Sequence, residues 1–279
     1  MSKLNTHKEE MIESSTPPVK LLLKREYPSN TPVGLIVCHH GIMINMKFFD
    51  PFVKEMNKSN FIVYRYDCRG HGKSEGKRGY VKSLFEMVED LKIMVDLAKK
   101  ENPNLPLFIM GHSMGGLISA LFATKYPNEA NGFITGAGVL RDNNKTFGEL
   151  PLKGDPEKYI ISHEAMKKIK EFTKEVQDIL CKVYPNFVSE ITISLINSFP
   201  EANEYLKKNM KNFVKPVLIL NGNFDCFVNQ TDAIDFYMDL DNKDKSLIIF
   251  SGVGHDLWNE EKGDMIIWHI LNWIQHRLK

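Results

Sequence analysis

A chain of 279 residues can bury a sizeable core, and it fits one domain carrying an insertion as well as two separate domains. Hydrophobic residues make up 43% and charged residues 25%, as in ordinary globular proteins. The formal net charge of +1 provides no broad electrostatic surface for a polyanion, so nucleic acid is not an expected partner.

Residues 1–18 form a polar N-terminal segment without the apolar stretch of a secretory signal. No run approaches the roughly 18 apolar residues that a membrane span needs. The four cysteines are scattered without paired spacing and are expected to be reduced thiols. We therefore expect a cytoplasmic protein, with peripheral membrane contact left open.

Short apolar runs rich in β-branched or aromatic residues predict strands, several of them apolar on both faces and therefore covered by helices on each side. In chain order the predicted strands are residues 19–26 (an outer strand), 34–39, 61–66, 105–110, 132–135, 216–220 and 246–250. The predicted helices are residues 83–100, which open with Ser83 and Glu86 in capping-box spacing, 113–126, 231–240 and 264–278. This alternation predicts an α/β fold, a mainly parallel central sheet with helices on both faces.

Residues 141–213 break the alternation and contain no convincing strand. Apolar side chains recur there at helical spacing. The two series are Ile169, Phe172, Val176, Ile179, Leu180, Val183 and, after a break, Val188, Ile191, Leu195, Phe199. They predict a helical cap at 141–213, inserted into a core made of residues 19–140 and 214–279.

The segment Gly111–Gly116 reads GHSMGG and fits the pattern G-x-S-x-G between a predicted strand and a predicted helix. The flanking glycines let the chain turn sharply and expose Ser113, the candidate nucleophile. The backbone N–H of Met114 is then placed to donate to a developing oxyanion at the helix start. His112 is expected to support the turn rather than to act as the base. The alternative reading is a glycine-rich turn without chemistry.

A serine hydroxyl needs a positioned base near neutral pH. His255 follows one predicted strand, and Asp225 follows the strand before it. Either residue alone would favour a structural role. Because the carboxyl ends of parallel strands meet at one edge, we expect both to lie near Ser113, in a known chain order for such triads. Asp256 is a rival acid, but an immediate neighbour cannot readily reach the far side of the His255 ring.

The loop after the strand 34–39 is the expected source of a second oxyanion donor. The backbone N–H of Ile42 is the candidate, with Gly41 allowing close approach. His39, His40 and His71 form an alternative set of metal ligands, but no Cys, Asp or Glu stands at ligand spacing to complete a site. We therefore expect neither a metal nor a cofactor.

With these motifs assembled, the chain resembles the monoacylglycerol lipase and lysophospholipase branch of the α/β-hydrolases. Three segments carry the resemblance: His40–Gly41, the GHSMGG turn at Gly111–Gly116, and Asp67–Gly76, which reads DCRGHGKSEG. The last resembles the family's D-x-x-G-H-G-x-S-x-G turn, and we interpret its role as structural. The resemblance covers most of residues 32–137 and 215–273 and fades across the predicted cap.

The resemblance implies an α/β-hydrolase fold with a cap over the active site and an apolar entrance for an acyl chain. Carried over residue by residue, Ser113, Asp225 and His255 match the triad. Ile42 and Met114 match the oxyanion donors.

Relatives in this family often carry a cysteine a few residues after the acid. Here Cys226 follows the acid directly, so its position departs from the pattern. A reactive thiol and a buried inert thiol both remain open at this position.

The resulting prediction is a serine hydrolase that cleaves the acyl ester of a monoacyl lipid, a monoacylglycerol or a lysophospholipid, through an acyl-enzyme. The cap is hypothesised to cover the acyl chain and to touch lipid interfaces. A carboxylesterase of small esters and an acyltransferase using the same triad are the nearest alternatives, and a non-catalytic binding protein is a further one. Dehalogenase or epoxide hydrolase chemistry is disfavoured because the turn carries Ser113 rather than Asp. Head group and oligomeric state are not predicted.

Overall fold

The computed structural model describes residues 6–14, 17–143 and 145–278. Its strands are β1 Thr6–Glu13, β2 Lys20–Tyr27, β3 Gly34–His39, β4 Phe61–Tyr66, β5 Leu107–His112, β6 Gly132–Gly136, β7 Tyr159–Ile161, β8 Glu190–Thr192, β9 Val217–Gly222 and β10 Lys245–Phe250. Its α-helices are α1 Asp50–Lys58, α2 Phe85–Glu101, α3 Met114–Lys125, α4 Ser162–Ala165, α5 Lys174–Val183, α6 Ile193–Lys208, α7 Gln230–Asp239 and α8 Gly263–Gln275.

Eight of the strands form one sheet in the order β1-β2-β4-β3-β5-β6-β9-β10. The pairs from β4 to β10 are parallel, whereas β1 and β2 are added antiparallel at one edge. The mainly parallel sheet predicted from the alternating runs is thereby confirmed.

Helices cover both faces of this sheet because successive side chains of a buried strand point to opposite sides. Along β3, Leu35 and Val37 pack into the core beneath α2, α3 and α7. Ile36 and Cys38 pack into a second core beneath α1 and α8. All six residues of β3 are buried, so the strand needs apolar side chains at every position.

The edge strand β1 lies in the polar segment 1–18 and was not predicted from the sequence. Its side chains are largely exposed, so it shows no apolar alternation. It is held by main-chain pairing with β2 and by an ion pair in which Arg25 Nη1 lies 3.0 Å from Glu10 Oε2. Helix α1 was likewise not predicted.

Two predicted boundaries moved in a way that matters for function. Strand β5 runs two residues further than predicted, to His112, and β9 runs to Gly222, so both strands carry the chain up to the candidate catalytic turns. The predicted capping box at the start of α2 is absent: Ser83 Oγ accepts from Phe85 N–H at 3.3 Å, and the helix has no side-chain cap.

The expectation that residues 141–213 contain no strand is wrong, since β7 and β8 form a two-stranded antiparallel sheet there. Strands of three residues are too short to show a period of two in the sequence. The helical series is also shorter than predicted: Phe172 precedes α5, and Ile191 lies in β8 before α6. We call residues 141–213 the cap, and the division of the chain into core and cap stays a prediction.

Across the described ranges, no helix combines the length and the apolar character needed to cross a membrane.

Candidate active site

Ser113 occupies the sharp corner between β5 and α3. Its φ of 55° and ψ of −120° lie outside the regions that side chains normally allow, which is the strain expected at this type of turn. The neighbouring glycines are required by space, because a Cβ at Gly111 would lie 2.0 Å from Gly115 O and one at Gly115 would lie 2.1 Å from His39 O. Packing of backbone against backbone therefore holds the serine in place.

The two residues predicted to supply oxyanion donors, Ile42 and Met114, line the same cavity as this serine. Neither N–H has a hydrogen-bond partner among the residues that the structure describes. A Cβ at Gly41 would lie 3.0 Å from Ser113 Cβ, so the loop approaches the serine as closely as a glycine permits. The two donors predicted from the sequence therefore share one wall with Ser113.

His255 and Asp225 lie in hydrogen-bond contact, with 2.8 Å between His255 Nδ1 and Asp225 Oδ2. The other carboxylate oxygen, Oδ1, accepts from the N–H groups of Phe227 and Val228 at 2.9 and 2.8 Å. An ionised carboxylate can only accept, so Nδ1 carries the proton and Nε2 keeps its lone pair. His255 lines the same cavity as Ser113.

Electrostatics at His255 favour the protonated ring. Burial opposes the charge, but the negative charge of Asp225 and its hydrogen bond outweigh burial and raise the pKa of His255. Asp256 adds to the same trend through its charge, yet it makes no hydrogen bond to the ring. The geometry thus favours Asp225 over Asp256 as the partner of the ring.

His112 supports the loop that carries His255. Its Nε2 lies 2.9 Å from the carbonyl oxygen of His255, and the centroid of its ring lies 4.1 Å from that of the Phe48 ring. Burial holds the pKa of His112 well below its usual range, so the neutral ring donates from Nε2. This is the supporting role predicted from the sequence.

The turn Asp67–Gly76 is a hydrogen-bonded scaffold beside the site. Asp67 accepts from the N–H groups of Met46 and Lys73 at 2.9 and 2.7 Å. Arg69 Nε lies 2.6 Å from the buried carboxylate of Asp90. These contacts confirm the structural interpretation of the turn.

An apolar cavity of about 380 Å³ extends from the serine and the histidine into the cap. Its cap side is lined by Phe147, Met166, Phe172, Val176, Leu180, Tyr184, Phe187 and Phe199. Cys226 also lines it, and burial raises the pKa of this half-buried thiol to about 11. The thiol is therefore protonated near neutral pH, which disfavours the reactive alternative.

Metal ligation finds no support within the described ranges, where no group of three or more His, Cys, Asp or Glu side chains is arranged to hold an ion.

Sequence reasoning missed two residues that position His255. The Glu260 carboxylate accepts from the N–H of Gly254 at 2.9 Å. The ring centroids of Phe227 and His255 lie 5.0 Å apart. Neither shows a local pattern, because both act through contacts formed only in the folded chain.

Comparison with known proteins places the chain in a family. A family model described as serine aminopeptidase, S33, matches residues 30–262. A monoacylglycerol lipase of Mycolicibacterium smegmatis is 24% identical over 263 residues, which cover 90% of this chain and 91% of that protein. A monoglyceride lipase of Rattus norvegicus is 26% identical over 270 residues, covering 90% of this chain and 85% of that one.

Solved structures agree. A monoacylglycerol lipase of Paleococcus ferrophilus superposes with a TM-score of 0.73 at 25% identity, covering 91% of this chain and 99% of the other. A soluble variant of the Saccharomyces cerevisiae monoglyceride lipase, in complex with a substrate analogue, shares the fold with a TM-score of 0.79 at 20% identity, covering 99% and 97%. The chain thus belongs to the S33 serine aminopeptidase family of α/β hydrolases and is a carboxylic ester hydrolase.

Proposed function

We propose that this hydrolase cleaves the acyl ester of a monoacyl lipid, with Ser113 as nucleophile, His255 as general base and acid, and Asp225 as the carboxylate that orients the ring. The observation that carries the proposal is the apolar cavity of about 380 Å³ that contains both Ser113 and His255 and extends into the cap. The volume lies in the range of pockets that bind small molecules.

The reaction proceeds in two acyl-transfer steps. His255 Nε2 takes the proton of Ser113 Oγ as this oxygen attacks the ester carbonyl, and the N–H groups of Ile42 and Met114 stabilise the oxyanion. The tetrahedral intermediate collapses, and His255 returns the proton to the leaving alcohol. Water, deprotonated by His255, then attacks the acyl-enzyme, releases the fatty acid and restores the serine.

General base catalysis of this kind contributes about 10²–10⁴-fold. A single oxyanion donor contributes about 3 kcal/mol. No step needs a metal or a cofactor.

The cavity suits an acyl chain because its cap side is built from apolar and aromatic side chains. Each buried methylene of a ligand gains about 0.8 kcal/mol. A long chain therefore gains binding energy that a small ester lacks, which favours a lipid over the small-ester alternative.

The head group is inferred from charge. Among the residues that the structure describes, no lysine or arginine lines the cavity, whereas Asp256 and Glu260 do. An anionic phosphodiester would have no cationic partner there. A neutral glycerol suits this lining better, so monoacylglycerol is favoured over lysophospholipid.

The test measures fatty-acid release from a long-chain monoacylglycerol and its matched lysophosphatidylglycerol, an anionic phosphodiester without the choline cation, by wild type, Ser113→Ala and Ser251→Ala. The exposed Ser251 is a control for serine replacement. We expect wild type and Ser251→Ala to cleave the monoacylglycerol faster than the lysophospholipid. Ser113→Ala should lose on the order of 10⁶-fold in kcat. Full activity of Ser113→Ala would contradict the nucleophile. Cleavage of short esters alone by wild type would contradict the lipid substrate.

Contact with a lipid surface through the cap and through Phe224, in the turn after β9, belongs to the same proposal. Phe224 lines the cavity and is 72% exposed. Ile179 and Val183 are 56% and 46% exposed on α5, the helix whose Leu180 lines the cavity. We expect wild type to co-sediment with phosphatidylcholine vesicles and Ile179→Glu to do so less, with Trp268→Glu on α8 as control. Failure of wild type to co-sediment would contradict the contact.

A further inference from the structure

Three histidines are buried together beside the oxyanion loop, and the proposed reaction uses none of them. His39, His40 and His71 are fully buried, and the ring centroids of His40 and His71 lie 5.5 Å apart. A buried imidazole must find hydrogen-bond partners to offset the loss of water. The partners of His40 indicate what this residue does.

The ring of His40 bridges two loops. Its Nε2 accepts from the backbone N–H of Cys68 at 2.9 Å, and its Nδ1 lies 2.7 Å from the carbonyl oxygen of Gly41. Because the N–H of Cys68 can only donate, Nε2 must hold the lone pair and Nδ1 the proton. Burial lowers the pKa of His40 to about 4, which keeps this tautomer neutral near neutral pH. His40 therefore donates to Gly41 O.

That carbonyl belongs to the same peptide unit as the N–H of Ile42. The peptide is trans, so its C=O and N–H point in opposite directions. Holding the oxygen against the buried ring of His40 turns the N–H of Ile42 away from the ring. This N–H has no partner in the described part of the chain, and Ile42 lines the cavity that contains Ser113.

A glycine at position 41 makes such a restraint necessary. A Cβ there would lie 3.0 Å from Ser113 Cβ, which is tighter than most such contacts, so glycine favours the close approach of the loop. Glycine also lets the adjoining peptide rotate more freely than any other residue does. Gly41 therefore permits the close approach but does not by itself fix the orientation of the Ile42 N–H.

We propose that His40 is a positioning residue that fixes the peptide between Gly41 and Ile42 with its N–H directed at the oxyanion. Cys68 in turn fixes the ring of His40 by its own N–H, which gives the Asp67–Gly76 turn a purpose at the site. The inference rests on the proposed function, because it needs Ser113 to generate the oxyanion that Ile42 stabilises.

Two amide variants separate the two hydrogen bonds of the ring. The side-chain amide of His40→Asn reaches the position of Nδ1 and keeps a donor for Gly41 O, while the bond to Cys68 is lost. The longer His40→Gln reaches the position of Nε2 and keeps an acceptor for Cys68 N–H, while the donor to Gly41 is lost. We expect kcat on a soluble ester to fall by about 10²–10³-fold in His40→Gln, as for loss of one oxyanion donor, with KM nearly unchanged.

His40→Asn is expected to stay within about tenfold of wild type in kcat, because it keeps the donor bond. The matched control is Asn57→Ala on α1. The buried Asn57 donates from Nδ2 to the carbonyl oxygen of Phe61 at 2.9 Å, so this variant removes a similar buried bond that does not hold the oxyanion loop. It should destabilise the fold while kcat of the folded protein stays near that of wild type.

A second readout is inhibition by a long-chain trifluoromethyl ketone, whose adduct with a serine carries the oxyanion. Its inhibition constant should rise in His40→Gln in parallel with the loss of kcat, and stay near the wild-type value in Asn57→Ala. A role that is merely structural would change melting temperature in all three variants without this selective weakening.

Equal loss of kcat in His40→Asn and His40→Gln, or wild-type kcat in His40→Gln, would overturn the positioning role. If His40→Gln does not fold, His40→Asn decides alone: a loss well beyond tenfold overturns the role. Ser113→Ala in the same series separates the two proposals. An active Ser113→Ala contradicts the proposed function, whereas an inactive Ser113→Ala beside a fully active His40→Gln contradicts only the role of His40.

Discussion

The cavity has two walls of different construction. Around Ser113 the core wall is backbone against backbone, where a Cβ added at Gly115 would lie 2.1 Å from a carbonyl oxygen. The cap wall opposite consists of side chains such as Phe172 and Leu180, carried on a segment in which the structure describes three α-helices and a two-stranded sheet. The first wall fixes atoms to the accuracy that chemistry needs. The second provides volume and apolar surface, so under the proposed function it sets which acyl chains fit.

The largest loss of activity is expected on the core wall, from replacing Asp225. In Asp225→Asn the remaining oxygen can still accept from Phe227 and Val228, so the protein should fold. The ring of His255 would lose its fixed tautomer, and kcat should fall on the order of 10⁴-fold. The measurement is kcat on a soluble ester, with Asp256→Asn as control. A larger loss in Asp256→Asn than in Asp225→Asn would show that the acid has been assigned to the wrong residue.

A smaller effect is expected where the core wall is tightest. The Cβ of Gly41→Ala would lie 3.0 Å from Ser113 Cβ and 3.3 Å from His112 Nδ1, so the loop or the serine must shift by a few tenths of an ångström. We expect kcat to fall by about 10²-fold through the displaced oxyanion donor. The matched control is Gly34→Ala, whose Cβ would lie 2.9 Å from the ring of Phe61 in β4. It should lower melting temperature and leave kcat intact, and equal losses of kcat would contradict a special role for Gly41.

The cap wall should show selectivity instead of a general loss. Phe172 is buried, lines the cavity and packs its ring 5.4 Å from that of Phe227. Phe172→Ala should lower kcat/KM on long-chain esters by about tenfold, the size of a few lost apolar contacts, and leave acetyl esters unaffected. Tyr159→Ala, a cap residue outside the cavity lining, is the control. A uniform loss across all chain lengths would contradict the division of labour between the walls.

The pH profile of kcat/KM tests the electrostatics around His255 on the core wall. His255 must be neutral to accept a proton, so kcat/KM is lost as pH falls through the pKa of the ring in the free enzyme. That pKa is raised, chiefly by Asp225 against the opposing effect of burial, so the acid limb should lie above about 6.5, the ordinary value for histidine. Asp256→Asn removes a further negative charge and should move the limb to lower pH. A limb below the ordinary value would contradict the electrostatics described.

The core wall was largely predictable from sequence because its signals are local. Ser113 stands between Gly111 and Gly115 at a strand–helix junction, and Asp225 and His255 follow the successive strands β9 and β10. The role proposed for His40 was not predictable, because the backbone N–H that its ring accepts from belongs to Cys68, 28 residues further along the chain. No pattern around a lone histidine marks such a bridge.

The rest of the chain was less predictable for physical reasons. Strand β1 is polar and depends on main-chain pairing, which leaves no apolar period to detect. In the cap, the helical series continued through Ile191, which the structure places in β8. In short elements, the surroundings in the folded chain decide how an apolar side chain packs, so its spacing along the sequence does not reveal the element to which it belongs.

The most direct test of the account is covalent labelling with a long-chain alkyl fluorophosphonate, followed by peptide mass spectrometry and assay of ester hydrolysis. We expect one label per chain, on Ser113, with activity lost in proportion to labelling. A label on another residue, or hydrolysis that persists after Ser113 is fully labelled, would contradict it.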